Sequence, residues 1–406
     1  MVDTYFRVPL FLVRLSGISV NVRKVSRLSS AYNVISTVCF YVTYLSVIMD
    51  FVVKRDDIEE TMKNVRMSFG MAVLSWMHFY LRSNKHEIEY LIHLTESFKP
   101  EDFPNRDPDT GNLTMTGYIP RVNKLTKYGW LFVAVFHAIQ SALRMTLNRS
   151  MIFTTWYPFD ASVSPVYEIV NLSQVFASIL AISICVGFPG LYATLVCVAC
   201  SQLEKLKGAL LDIRQTHLTS QQDCGAETNG EEHPHTTEEV FRHEQKKLND
   251  CIRHHQRIIL YMTALEETIN FALCGLFLLL LAALCFIAFS AVTSWGDLTD
   301  VSQALVMYCV MMSIVFVFCW LGTQLSVQAE NVRDAAWGCD WVGTPVPFQR
   351  CLIFIIAAAN KEFTLTAGKF VPVSNKTMMN MINQTVSFFM FLLHMKKKNE
   401  EPKQGE

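Results

Sequence analysis

Charge is scarce in this chain. Only 17% of its residues are Asp, Glu, Lys or Arg, while 51% are hydrophobic, against about 25% charged in soluble domains. That imbalance excludes an ordinary soluble fold and leaves a chain that crosses a membrane several times. The net charge is −1 and the Lys and Arg are spread over many loops, so no basic face exists and no nucleic-acid partner is expected. A glycine-rich phosphate loop, HExxH and GxSxG are all missing. Nucleotide binding, zinc hydrolysis and serine-elbow catalysis therefore have no local support, and neither enzyme activity nor a cofactor is expected. Cysteine is absent from every segment read below as an outer loop, although the chain holds 12; a disulfide-stapled outer face is excluded. The opening MVDTYFRVPLFLVRLSG is apolar but interrupted by Arg7 and Arg14 and has no small-residue cleavage site, so it reads as an amphipathic packed or interfacial segment, not a signal peptide.

What is present is a series of uncharged runs. Leu28 to Met49 is long enough for one transmembrane helix. Met67 to Leu81 and Tyr128 to Leu143 are short for lipid-facing helices, so their ends must be buried by neighbours. Ile169 to Leu203 is long enough to project beyond the bilayer, at about 1.5 Å per residue. A fifth helix begins in the amphipathic LNDCIRHHQRIILYMTALEETINF and continues without a break signal into FALCGLFLLLLAALCFIAFSAV. Val301 to Ala329 is the sixth run. Cys351 to Asn360 is too short to span, and KEFTLTAGKFVPVSNK separates it from Thr377 to Met395, so the seventh helix is expected to be split in two.

The expected fold is therefore all-α, a polytopic membrane protein with seven transmembrane helices. With the amino terminus inside, the inner segments hold 22 Lys and Arg and the outer ones 10, which predicts a cytoplasmic amino terminus and an extracellular carboxy terminus. The lysines at 396 to 398 oppose that rule, but charges late in a chain weigh less than the earlier loops together. The expected organisation is an amino-terminal segment (1–30), helices one to four (31–200), and a cytoplasmic stretch (201–257) with a disordered acidic insert (220–240). Helices five and six (258–340), the split seventh (341–396) and an outer tail (397–406) complete it. Of five Asn-x-Ser/Thr sequons, only Asn148 falls in an outer loop and is a candidate glycan site. Five histidines between His233 and His255, with Cys224 and Cys251, match no zinc spacing, so no metal site is expected. Glu266 and Glu267 mark the inner membrane boundary or a helix extension.

Reading each span in its predicted direction brings polar and aromatic residues to one depth in the outer half. Phe69 and Met71 come from the second span, Phe136, His137 and Gln140 from the third, Tyr167, Asn171 and Gln174 from the fourth, and Met307, Tyr308 and Met311 from the sixth. Apolar walls with a few hydrogen-bonding groups are what a small-molecule pocket needs; helix-packing glue is the bland alternative for any one of them.

Three stretches carry a resemblance. WYPFD at Trp156 to Asp160, ENVRDAAWGCDW ending at Trp341, and LTAGKFVPVSNKTMMNMINQTVSFFMFLL from Leu365 to Leu393 resemble motifs of the insect odorant receptor family, the last being the most specific. The resemblance covers essentially the whole chain and is to the odorant-tuned subunits, because the longer inner loop of the co-receptor is lacking. It implies the odorant-binding subunit of a ligand-gated, non-selective cation channel in the plasma membrane, a heterotetramer with the family's co-receptor. A volatile organic odorant, membrane lipid and the conducted cations are the implied partners. The family's pore pattern places Ser387, Phe388 and His394 at its Thr, Tyr and Gln positions, and Phe391, His394 and Met395 would face the pore. That departs from the small gate of the co-receptor. The sister gustatory receptors remain an alternative. A G-protein-coupled receptor is less favoured, because Asp-Arg-Tyr and Asn-Pro-x-x-Tyr are absent where that class carries them.

Overall fold

The computed structural model describes residues 5–20, 26–53, 58–98, 113–147, 151–223, 237–294 and 298–400. The helices are α1 (Arg7–Leu15), α2 (Arg27–Val53), α3 (Ile58–Ser83), α4 (Lys85–Glu96), α5 (Met115–Leu147), α6 (Val166–Asp223), α7 (Thr237–Thr293), α8 (Leu298–Gly338), α9 (Val346–Ala359) and α10 (Asn375–Glu400). Between α9 and α10 lies a two-stranded hairpin, β1 (Thr366–Ala367) with β2 (Val371–Pro372), antiparallel. Among the described residues seven helices reach 26 residues or more: α2, α3, α5, α6, α7, α8 and α10. Four of these, α2, α6, α7 and α8, are long and apolar enough to cross a membrane on composition alone.

The runs α3, α5 and α10 look short or polar in the sequence because charge interrupts hydropathy before it interrupts the helix. Helix α3 continues backward through Lys63 and Arg66, and α5 continues forward through Arg144. Those cations stay in the helices because one carboxylate receives two of them. Asp300 of α8 is 2.6 Å from the Lys63 ammonium and 2.7 Å from the Arg144 guanidinium, and it is only 5% exposed. Arg66 is 1% exposed and donates to the Ser290 hydroxyl on α7 at 3.2 Å. Buried charges survive in such places only when paired or hydrogen-bonded.

Helices α6 and α7 run for 58 and 57 residues, about 87 Å for the longer, so each projects well past a bilayer. They form the centre. Helix α6 packs on α8, α5 and α1, while α7 takes α3 on one side and α8 and α10 on others. Two buried tyrosines fasten this centre: the Tyr192 hydroxyl donates to the Phe318 carbonyl at 3.1 Å and the Tyr261 hydroxyl to that of Leu195 at 3.0 Å. Helix α1 is packed rather than free. Pro9, Leu10, Leu12 and Val13 are buried, and α6 receives the helix at Gly187, where a Cβ would lie 3.0 Å from Leu12 Cβ and 3.3 Å from the Val13 nitrogen.

Apolar side chains also point away from the bundle at helical spacing. Val34, Val38, Val42 and Leu45 on α2, and Phe132, Val135 and Ile139 on α5, are 49–62% exposed. Rows of this kind are costly in water and suited to lipid.

The split in the last helix has a local cause. Gly368 and Lys369 both adopt positive φ, +65° and +68°, which turns the chain sharply within the hairpin. The Gly368 N–H donates to the Asn270 carbonyl at 2.9 Å, and the Thr366 hydroxyl donates to the Glu266 carboxylate at 2.5 Å. Glu266, read from the sequence as a boundary residue, holds the hairpin against α7.

Candidate functional site

A cavity of about 770 Å³, counting its mouth, opens between α3, α5, α6 and α8 near the end of the bundle that carries the 151–165 loop. Its walls are largely apolar. Met71 of α3, Phe136 of α5, and Met307 and Met311 of α8 line it together with His137. These five come from the eleven residues grouped by depth in the sequence. The other six lie outside the wall.

Their positions are specific. Phe69 faces α7 instead, its ring 4.7 Å from that of Phe286. Gln140 donates to the Ser302 hydroxyl at 3.3 Å, joining α5 to α8 beyond the cavity. Tyr308 is half-buried against the core. Tyr167 sits at the start of α6, and its carbonyl accepts the Asn171 amide at 3.0 Å. Asn171 and Gln174 hold the loop that closes one end. The Ile152 N–H donates to Asn171 Oδ1 at 3.3 Å, the Phe153 N–H donates to Gln174 Oε1 at 3.0 Å, and Gln174 Nε2 donates to the Thr155 hydroxyl at 2.9 Å.

Sequence depth therefore missed the loop's contribution. Phe153 lines the cavity and stacks on His137 with ring centroids 5.8 Å apart. No periodicity marks a loop side chain, so nothing in the sequence pointed to it. Met67 and Leu74 also line the wall, and stepping four back and three forward from Met71 along one helix face finds both. Gln303 likewise lies one turn before Met307.

Polar groups in the wall are few. Ser178 donates its hydroxyl to the Gln174 carbonyl at 2.7 Å, and Gln303 Oε1 accepts from Arg144 at 2.8 Å. That bond aims the carbonyl half of Gln303 at Arg144 and leaves its Nε2 with no protein partner among the described residues. A cavity of this kind takes a small apolar molecule that carries a hydrogen-bond acceptor for Gln303 or His137.

A second functional surface is the bare side of α10. Thr377, Met381 and Thr385 are buried at four-residue spacing against the bundle. Asn380, Asn383, Gln384, Ser387, Phe391, His394 and Met395 are exposed and fall within an arc of about 120° at 100° per residue. Met379, Val386 and Met390 form a separate exposed apolar strip. The helix thus has three faces: one packed, one apolar and bare, one polar and aromatic and bare.

The motif residues fall at both ends. In the 151–165 loop Tyr157 and Phe159 stack at 5.2 Å, and Asp160 accepts from the Ser162 N–H and hydroxyl at 2.9 and 2.6 Å. Those two bonds hold the Asp160 carboxyl below its ordinary range. Trp337 and Trp341 lie 5.9 Å apart at the far end of α8. Asn148, most of the acidic insert and the side chains from Lys396 onward fall outside the described residues.

The family model of the 7tm odorant receptor matches residues 57–386. The chain belongs to the 7tm odorant receptor family. Odorant receptor 2a of Drosophila melanogaster is 24% identical over 272 residues, 65% of this chain and 65% of that one. Odorant receptor Or2 of Anopheles gambiae is 24% identical over 57% of this chain and 58% of its own length. These matches span less than two thirds of either relative. The structure of the insect olfactory receptor OR5 from Machilis hrabei in complex with eugenol superposes with a TM-score of 0.71 at 16% identity, covering 97% of this chain and 98% of that one. At that identity the likeness establishes the fold. It is an all-α membrane fold of seven transmembrane helices, and homologues of this family are receptors, not enzymes. The gustatory alternative loses its footing here.

Proposed function

We propose that this chain is the odorant-binding subunit of a ligand-gated, non-selective cation channel, a heterotetramer with the odorant receptor co-receptor in the plasma membrane. The amino terminus lies in the cytoplasm and the carboxy terminus outside. The volatile ligand occupies the cavity lined by Met71, Phe136, His137, Met307 and Met311, with Gln303 and His137 as its polar contacts. The observation that carries this reading is the open-mouthed apolar cavity whose wall holds an amide nitrogen with no partner among the described residues. The family to which the chain belongs, and the eugenol held by the Machilis hrabei receptor, support it.

The polar and aromatic face of α10, including Phe391, His394 and Met395, lines the conducting path. In a monomer that face is bare, and water would suit its Asn, Gln and Ser groups while lipid would not. Ligand binding opens the path only so far as the open arrangement holds the ligand more tightly, about 1.4 kcal/mol for each tenfold difference in affinity.

Co-expression decides the matter. Cells carrying this chain and a co-receptor subunit are expected to pass a cation current when a volatile panel is applied, and cells carrying this chain alone to pass none. Ligand-evoked current from this chain alone, or second-messenger signalling that depends on a G protein, contradicts the assembly.

A further inference from the structure

Gly70 of α3 and Met307 of α8 face each other across the edge of the cavity, and both line it. A Cβ added at Gly70 would lie 1.9 Å from the Met307 Cε and 3.7 Å from its Sδ. The thioether methyl of Met307 therefore occupies the space that any side chain at position 70 would take. We infer that Gly70 is a specificity-determining residue: it gives Met307 a seat outside the ligand volume and so sets the upper limit on ligand size. The inference rests on the cavity being the odorant site.

The physics favours a swing of the side chain over a shift of the helices. Met has three rotatable bonds before its methyl, and the methyl is its far end. Met307 is only partly buried and lines the cavity wall beside Gly70. The neighbouring empty space is the cavity itself, so a displaced methyl enters it. Alanine also suits a helix better than glycine, by about 1 kcal/mol, so Gly70→Ala leaves α3 intact while shrinking the space for ligand. A hydrophobic site that gains or loses room for one carbon changes affinity by about 10-fold or more. Met307→Ala does the opposite, opening the wall that the thioether fills.

The test uses the full chain co-expressed with the co-receptor, unbranched volatile esters and alcohols of graded chain length, and dose responses at matched surface abundance. For Gly70→Ala the preferred chain length is expected to fall by one or two carbons, with about 10-fold or greater loss of potency for longer members and little change for shorter ones. Met307→Ala shifts the preference to longer members, and Gly70→Ala with Met307→Ala recovers the long-chain responses. A Gly70→Ala effect equal across the series, or one that Met307→Ala does not relieve, overturns the inference. Phe136→Ala is measured alongside. If it changes potency while Gly70→Ala does not, the pairing of Gly70 with Met307 is wrong and the site stands; if neither variant nor Met307→Ala changes any response, the site itself is wrong.

Discussion

Asp300→Ala is expected to remove most of the protein from the cell surface. The carboxylate is almost fully buried and accepts from Lys63 of α3 and Arg144 of α5 at 2.6 and 2.7 Å, so three helices meet through one side chain. Breaking a fully buried pair costs about 3–5 kcal/mol; Lys63 and Arg144 are part-exposed, so the cost here falls below that, still a sizeable part of the roughly 5–15 kcal/mol typical of folded domains. Arg144 also holds Gln303, so the loss extends to the cavity wall. Asp300→Asn keeps an acceptor of the same shape without the charge and is expected to fall between alanine and the native residue. Surface labelling with a measurement of thermal aggregation checks both variants. Native surface levels and an unchanged aggregation temperature for Asp300→Ala would show that the pairs contribute little.

Charge placed at Ser387 is expected to change conduction in opposite directions according to sign. Ser387 is exposed on the polar face of α10, where its own hydroxyl donates to the Asn383 carbonyl at 2.9 Å. If that face lines a cation path, a lysine within about 6 Å of a passing monovalent ion adds about 0.7 kcal/mol of repulsion in water and about 2.8 kcal/mol at an effective dielectric of 20. Those energies correspond to about 3-fold and about 100-fold in rate. Ser387→Glu lowers the barrier instead. Both variants replace a small residue by a larger one, so a steric effect alone moves them together. Single-channel conductance at low ionic strength, where screening is weakest, separates the cases. Equal reductions for Lys and Glu would take α10 out of the path.

The architecture was legible in the sequence where hydropathy and helix ends coincide. Seven of the uncharged runs lie inside helices found here, and the break before Thr377 appears as the hairpin at Gly368 and Lys369. It was less legible where charge enters a helix. Lys63, Arg66 and Arg144 read as loop residues because hydropathy is local, whereas the carboxylate that admits two of them, Asp300, is more than 150 residues away from either Lys63 or Arg144 in the chain. The cavity was half legible for a similar reason. Of the residues grouped by depth, Phe136, His137, Met71, Met307 and Met311 line the cavity, but depth does not give rotation. Phe69 and Tyr308 are neighbours in sequence of lining residues and face elsewhere. Phe153 came from a loop whose path is fixed by Asn171 and Gln174, two residues that hold the wall without belonging to it.

The central claim, that the cavity between α3, α5, α6 and α8 is where the odorant acts, is tested most directly by comparing two aromatic residues. Phe136 lines the cavity, and Tyr308, adjacent to Met307 on α8, does not. Dose responses of ligand-evoked cation current are measured for Phe136→Ala and Tyr308→Ala, each with the co-receptor and at matched surface abundance. Removing a large, partly buried ring that touches the ligand is worth about 1–3 kcal/mol, or about 5- to 150-fold in half-maximal concentration. The account predicts a shift of that size for Phe136→Ala and little or none for Tyr308→Ala. Unchanged potency at Phe136→Ala across the panel, or a larger shift at Tyr308→Ala, would contradict it.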